Sequence, residues 1–366
     1  MSSGDAERAG VAIAIVGATG LVGRTFLSVL AERRFPVGRL SLFASPRSAG
    51  QTVEFAGRSY RVEALDAADP AGFDLALFSA GAQVSRLHAP RFIAAGALVV
   101  DNSSAFRMEP GVPLAVPEVN PESLALLSRS AAGGWGRIVA VPNCSTIQLV
   151  MVLKPLHAAA GLARVTVATY QSAAGAGQSG LRELETETRR VLDGDAPAAE
   201  VFAHPLAFEA LPHVGVFGDD GVTSEEQKII DETRKILGLS DLPVSATCVR
   251  VPVRVGHSEA VWVETERALD PEAARACLAR QPGVVVRDDP ARAVYPLARE
   301  AAGTDPVYVG RIRRDPARAQ GLILWVVADN VRKGAALNAV QIAERLLLRS
   351  EPAARAARES AERAKA

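Results

Sequence analysis

The chain has 366 residues, 48% of them hydrophobic, with 41 basic side chains balancing 41 acidic ones. That length and apolar share can build two cores of ordinary size. The balanced, scattered charge excludes a nucleic-acid track or a patch for anionic membranes and leaves a small molecule as the expected partner.

Residues Met1 to Arg8 are polar and form no apolar core of an export signal. No stretch reaches the roughly 18 to 20 apolar residues of a membrane span. Cys144, Cys248 and Cys277 are odd in number and widely spaced, with neither a disulfide framework nor a metal-ligand spacing. A cytoplasmic, reducing location without a metal site is the expectation.

In chain order, Val11–Val16, Leu40–Ala44, Phe73–Ser79, Ala97–Val100 and Ile138–Val141 read as strands, separated by helical patterns at 20–33, 83–95 and 121–130. This alternation predicts an α/β, doubly wound, Rossmann-type domain. Beyond Cys144 a helix over 145–159 leads to longer alternating strands at 164–171, 244–255, 260–266, 307–313 and 322–328, with helices at 178–192, 224–237 and 271–280. A second α+β domain with a mixed sheet follows. The amphipathic stretch 334–348 is expected to return to the first domain. The resulting division is 11–143 plus 331–349 for the nucleotide and 144–330 for catalysis and dimerisation, with 1–10 and 350–366 as flexible tails.

The first strand runs straight into Gly17-Ala-Thr19-Gly20-Leu21-Val22-Gly23. Glycines between a strand and a helix let the backbone turn tightly and approach a pyrophosphate, which then rests on free N–H groups at the helix start. The second strand ends in Ser45-Pro-Arg47-Ser48, where an NAD site would carry an acidic residue for the ribose diol. A guanidinium with hydroxyls suits a 2′-phosphate, which predicts NADP.

Pro142-Asn143-Cys144-Ser145-Thr146 places a cysteine between a strand and a helix that begins with capping-type residues. The positive end of a helix lowers a thiol pKa, and the same N–H groups can stabilise an oxyanion. Lowering a thiol by two units takes about 2.7 kcal/mol. A helix terminus supplies about 2 kcal/mol at best, so a second group is expected to help form the thiolate. Cys248 in a strand and Cys277 in a helix read as buried packing residues. Among five histidines, His257 follows Gly256 at a strand break, where an imidazole can project into a cleft. Asp101 to Arg107 and Glu225 to Lys228 add polar density.

Together these segments resemble the aspartate-β-semialdehyde dehydrogenase family from about Val11 to Leu348. Gly17-Ala-Thr-Gly-Leu-Val-Gly, Asp101-Asn-Ser-Ser-Ala-Phe-Arg, Pro142-Asn-Cys-Ser-Thr, Tyr170-Gln-Ser-Ala-Ala-Gly-Ala-Gly and Arg250-Val-Pro-Val-Arg-Val-Gly-His stand in the family's order. The resemblance implies reductive dephosphorylation of β-aspartyl phosphate in lysine (diaminopimelate), threonine and methionine biosynthesis. In that reading Cys144 carries the acyl group, His257 is the acid/base and assists the thiolate, and Gln171 orients the substrate. Arg250 pairs with the substrate carboxylate, Arg107 and Lys228 hold phosphate, and Glu225 approaches the amino group. Cofactor contacts are implied at residues 19–22, at Arg47, Ser48, Ala174 and Gly175, and at Asn330. A homodimer or dimer of dimers is implied as well.

Three rivals stand beside this reading. An N-acetyl-γ-glutamyl-phosphate reductase shares the chemistry but carries glycine before and tyrosine after its cysteine, where this chain has Asn143 and Ser145. A non-catalytic nucleotide sensor needs neither Cys144 nor His257. A cysteine hydrolase would leave the glycine turn without a purpose.

Overall fold

The computed structural model describes residues 10–129 and 136–348. The expected tails lie outside the described residues, apart from Gly10. In the first half, β1 (Val11–Val16), α1 (Leu21–Glu32), β2 (Val37–Ala44), β3 (Thr52–Phe55), β4 (Arg58–Ala64), β5 (Leu75–Phe78), α2 (Ala82–Ala94), β6 (Leu98–Asp101), α3 (Leu126–Arg129) and β7 (Ile138–Ala140) follow one another. The sheet order is β3-β4-β2-β1-β5-β6-β7. All neighbours pair in parallel except the β3/β4 hairpin at the edge. Ile13 to Val16 and Leu75 to Phe78 are fully buried, as expected for parallel strands covered on both faces.

The second half comprises α4 (Cys144–Ala160), β8 (Leu162–Gln171), α5 (Gly177–Leu192), α6 (Ser224–Leu237), β9 (Val244–Arg250), β10 (His257–Thr265), α7 (Pro271–Ala279), β11 (Val284–Val286), α8 (Ala298–Ala301), β12 (Val307–Arg314) and β13 (Gly321–Ala328). Its mixed sheet runs β11-β12-β13-β10-β8-β9. Helix α4 packs on the inner face of that sheet and against α6 and α7. Its residues Ile147 to Leu153 are all buried, which explains a helix that is apolar nearly all round.

Several boundaries differ from the sequence reading. The β3/β4 hairpin was not expected from its short, polar-rich segments, although Val53, Phe55 and Val62 bury one face of it. The expected strand 244–255 stops at Arg250, because Pro252 lacks an N–H and Val253 N bonds back to Val251 O. The strand expected from Ala260 begins instead at His257. The helix expected over 121–130 is a tight turn at Pro121–Ala125 followed by α3, with residue 130 outside the described residues.

The carboxy-terminal stretch starts as a wide helical turn over Arg332–Ala336, where Gly334 N bonds to Asp329 O and Ala336 N to Val331 O, five residues back. It continues as α9 (Leu337–Ala343). Its contacts include elements of the first half. Arg33 donates two 2.7 Å bonds to Glu344, Arg332 pairs with Glu32, and Asn338 Nδ2 donates to Ala115 O at 2.9 Å. The buried Lys333 ammonium meets both oxygens of Glu118 at 2.9 and 2.8 Å.

Candidate active site

At the carboxyl edge of the first sheet, Gly17 has φ +89°, and a Cβ on it would stand 2.3 Å from Ser79 O. A Cβ on Gly23 would meet Gly17 O at 2.2 Å. Both are required by close backbone approach, whereas Gly20 has an ordinary φ and a Cβ on it would stand a less severe but still tight 3.3 Å from Gly17 O. Val22 opens onto a cleft that runs past Ser79, Asn102 and Ser103 to Cys144, Gln171, Gly175 and Asn330. Arg47 and Ser48 sit on a short turn after β2, with Arg47 exposed.

Cys144 occupies the first position of α4, at the cleft wall. Asn143 caps that helix, its Oδ1 accepting from Ser145 N at 2.9 Å and Thr146 N at 3.3 Å. The expected lowering of the thiol pKa is absent in the free protein. Burial pushes Cys144 up to about 12, and the Glu225 carboxylate adds to this against the opposing pull of Arg107 and Arg250. A helix terminus is too weak to offset desolvation plus a nearby anion. Cys248 and Cys277 are buried, and burial pushes both thiols up.

Three strands bring the other expected residues to one end of the second sheet. Gln171 pairs with Arg250 in register, and continuing the β8/β10 register places His257 opposite Gln171. His257 is fully buried, and burial followed by the Arg250 charge holds its pKa well below the ordinary value. Its Nδ1 accepts from Ser172 N at 3.0 Å, and its Nε2 has no partner. Gly175 covers this group closely, since a Cβ there would meet Arg250 Nη1 at 2.5 Å and His257 Nε2 at 3.4 Å. Arg250 Nη1 donates to Ser172 O at 2.7 Å.

Helix α6 supplies the acidic side. Asn143 Nδ2 donates to Glu225 Oε1 at 2.8 Å, Gln171 Nε2 reaches the same oxygen at 3.3 Å, and Lys228 Nζ donates to Oε2 at 3.2 Å. Burial opposes charge on Glu225, but Lys228, Asn143 and Arg107 hold its pKa below the usual carboxylate range. Arg107 is clamped by Val141 O, Asn102 O and Glu232 Oε1, each at 2.9 Å. Three of its five N–H donors are used, and two remain for an anion in the cleft. Asp101 builds the loop that carries it, accepting from Ser85 Oγ, Ser103 N and Ser103 Oγ.

The sequence reading missed three residues here. Glu232 follows Glu225 by two helical turns, a spacing that was legible. Ser172 sits beside Gln171 and was passed over. Gly334 left no signal: a Cβ on it would stand 2.8 Å from the Cys144 Cβ, a contact made only when the carboxy-terminal segment returns. Among the described residues, no His, Cys, Asp and Glu cluster fits a metal ion, and no helix is long and apolar enough to cross a membrane.

Residues 12–127 match the NAD-binding domain of semialdehyde dehydrogenases, and 153–333 match the semialdehyde dehydrogenase dimerisation domain. The chain is 52% identical to the aspartate-semialdehyde dehydrogenase of Aquifex aeolicus over 92% of its own length and 98% of the relative's. It belongs to the aspartate-semialdehyde dehydrogenase family. The crystal structure of aspartate semialdehyde dehydrogenase II from Vibrio cholerae complexed with ASA superimposes with a TM-score of 0.88 at 46% identity, covering 93% of this chain and 98% of that one. The Candida albicans enzyme, solved with NADP, gives 0.70 at 27% identity over 92% and 98%. As a member of this family the chain is an aspartate-semialdehyde dehydrogenase, an oxidoreductase of amino-acid biosynthesis with a domain for a nicotinamide nucleotide.

Proposed function

We propose that the enzyme interconverts β-aspartyl phosphate and aspartate β-semialdehyde with NADP through a thioester on Cys144. The observation that carries this reading is the cleft in which Cys144 meets Arg107, Lys228, Arg250, Gln171 and Glu225. Cations at both ends of a short, doubly anionic substrate, with one carboxylate for its ammonium, fit β-aspartyl phosphate. Arg250 holds the α-carboxylate, Glu225 the amino group, Gln171 the carbonyl region, and Arg107 with Lys228 the phosphate. Cys144 attacks the acyl carbon and phosphate leaves; reduction of the thioester then releases the aldehyde. His257 serves the proton steps at the carbonyl oxygen.

The backbone turn at Gly17–Gly23, which admits no Cβ at either end, fits a pyrophosphate, and Arg47 with Ser48 fits a 2′-phosphate. Thr19, Leu21, Ala174, Gly175 and Asn330 complete this cofactor path. When bound, the nucleotide supplies hydride. The units are 11–143, to which 331–349 returns, and 144–330.

The outer face of the second sheet carries Tyr170, Trp262, Tyr295 and Leu297, all partly exposed, with Trp325 5.3 Å from Tyr170 between ring centroids. An apolar face of this kind suits a homodimer, and the three free thiols suit a reducing cytoplasm.

The test is phosphate-dependent reduction of NADP by aspartate semialdehyde, followed by nicotinamide absorbance, with Cys144→Ala alongside. Turnover in the wild type and none in the variant is expected. NADPH binding without turnover would favour the acetylglutamyl-phosphate or sensor reading.

A further inference from the structure

Residues 200–211 run between α5 and the end of β9 and are fastened to both. The Glu183 carboxylate on α5 accepts from the backbone amides of Glu200 at 3.1 Å, of Val201, and of Phe202 at 3.2 Å. One helical turn further, Glu187 Oε2 accepts from Leu206 N at 3.0 Å and Ala207 N at 3.1 Å. At its far end the segment meets Arg250 itself. Leu211 N donates to Arg250 O at 2.8 Å, and Arg250 N donates to Leu211 O at 2.7 Å. Two carboxylates on one helix face thus satisfy the amides of a stretch that has no helix or strand of its own.

This fastening sets an aromatic ring against Arg250. The guanidinium carbon stands over the Phe202 ring, 5.7 Å from its centroid, within the range of cation–π attraction. Gly180 on α5 leaves room for the ring, since a Cβ there would stand 3.0 Å from Phe202 Cζ. Phe202 also packs against the small apolar cluster that includes Ala173, Ala174 and Leu206. Arg250 lines the cleft that holds Cys144, whereas Phe202 is not part of its wall. The ring acts on the guanidinium and not on the substrate.

We infer that Phe202 is a positioning residue for the substrate, its ring holding the Arg250 guanidinium in the orientation that receives the α-carboxylate. This role rests on the assignment of Arg250 to that carboxylate. A guanidinium is planar and presents its donors only in its plane, so a bidentate carboxylate must arrive in that plane. The 2.7 Å bond from Nη1 to Ser172 O ties one corner, and a plane held at one corner can still swing. Contact with the Phe202 ring adds the second constraint. Burial disfavours charge on Arg250, while the Glu225 carboxylate favours it. The negative face of an aromatic ring adds attraction where water is excluded, and it consumes no N–H donor. The donors on the cleft side stay free for the substrate.

The test is steady-state kinetics of the full-length enzyme with aspartate semialdehyde, phosphate and NADP varied in turn. Phe202→Leu, which keeps an apolar side chain, should raise KM for aspartate semialdehyde roughly 10-fold, with kcat and the other two KM values within about 2-fold of wild type. Phe202→Tyr, which keeps the ring, should retain the wild-type KM. Trifluorophenylalanine introduced at position 202 keeps the ring's shape but withdraws charge from its face, and should raise the same KM about 3-fold. A wild-type KM in Phe202→Leu, a fall in kcat alone, or a rise of all three KM values together would overturn the inference. So would a wild-type KM with the fluorinated ring, which would reduce Phe202 to packing, or a tyrosine variant no better than leucine. Arg250→Gln separates the two levels of the reading. An unchanged KM for aspartate semialdehyde in that variant would sink the carboxylate assignment itself, whereas a raised KM there with a wild-type KM in Phe202→Leu would sink only the role of Phe202.

Discussion

Glu232 Oε1 lies 2.9 Å from Arg107 Nη1, while its Oε2 accepts from Asn143 N at 2.6 Å. One buried carboxylate on α6 thus fixes both Arg107 and the residue before Cys144. Removing it strands the guanidinium, and loss of one partner from a buried pair costs about 3–5 kcal/mol. Glu232→Ala should lower the denaturation midpoint accordingly, and a midpoint within error of the wild type would refute the clamp.

Glu225 faces Cys144 as an anion and raises its pKa. Glu225→Gln should therefore speed iodoacetamide alkylation at fixed pH by roughly 3–10-fold. The same change should cut kcat/KM for aspartate semialdehyde at least ~10-fold, since a charged contact to the ammonium is lost. The two rates moving in the same direction would contradict the assignment. The stability effect has a definite sign: folded Glu225 is more acidic than the ordinary value of 4.5, so its contribution is present above that pH and lost as pH falls through the lower folded value.

Gly334 touches Cys144 across the return of the chain. Gly334→Ala places a methyl 2.8 Å from the Cys144 Cβ, so one of the two must move. A displacement near 1 Å at a nucleophile costs about 10²-fold. A fall of that order in kcat is expected with little change in KM or in the melting curve, measured by steady-state kinetics and calorimetry.

Arg47 is exposed on the turn after β2, and the proposed NADP reading assigns it the 2′-phosphate. Arg47→Ala should shrink the NADP-to-NAD ratio of kcat/KM by ~10-fold or more while leaving NAD turnover close to its starting value. An unchanged ratio would place the 2′-phosphate contact elsewhere.

The sequence by itself determined the elements whose physics is local. The strand, glycine turn and helix at Val11–Glu32 follow from burial and from backbone approach, and Asn143 announces the helix that carries Cys144. The segment motifs and their order likewise made the family legible. Tertiary structure alone decided the electrostatics of the site. Whether Cys144 is acidic depends on burial and on Glu225, 81 positions away in the chain, and the His257 ring meets the backbone amide of a residue 85 positions distant. Desolvation and hydrogen-bond direction are properties of what surrounds a group in space, and no local pattern encodes them. The same holds for Gly334, whose need for a bare Cα arises only where the returning chain meets α4.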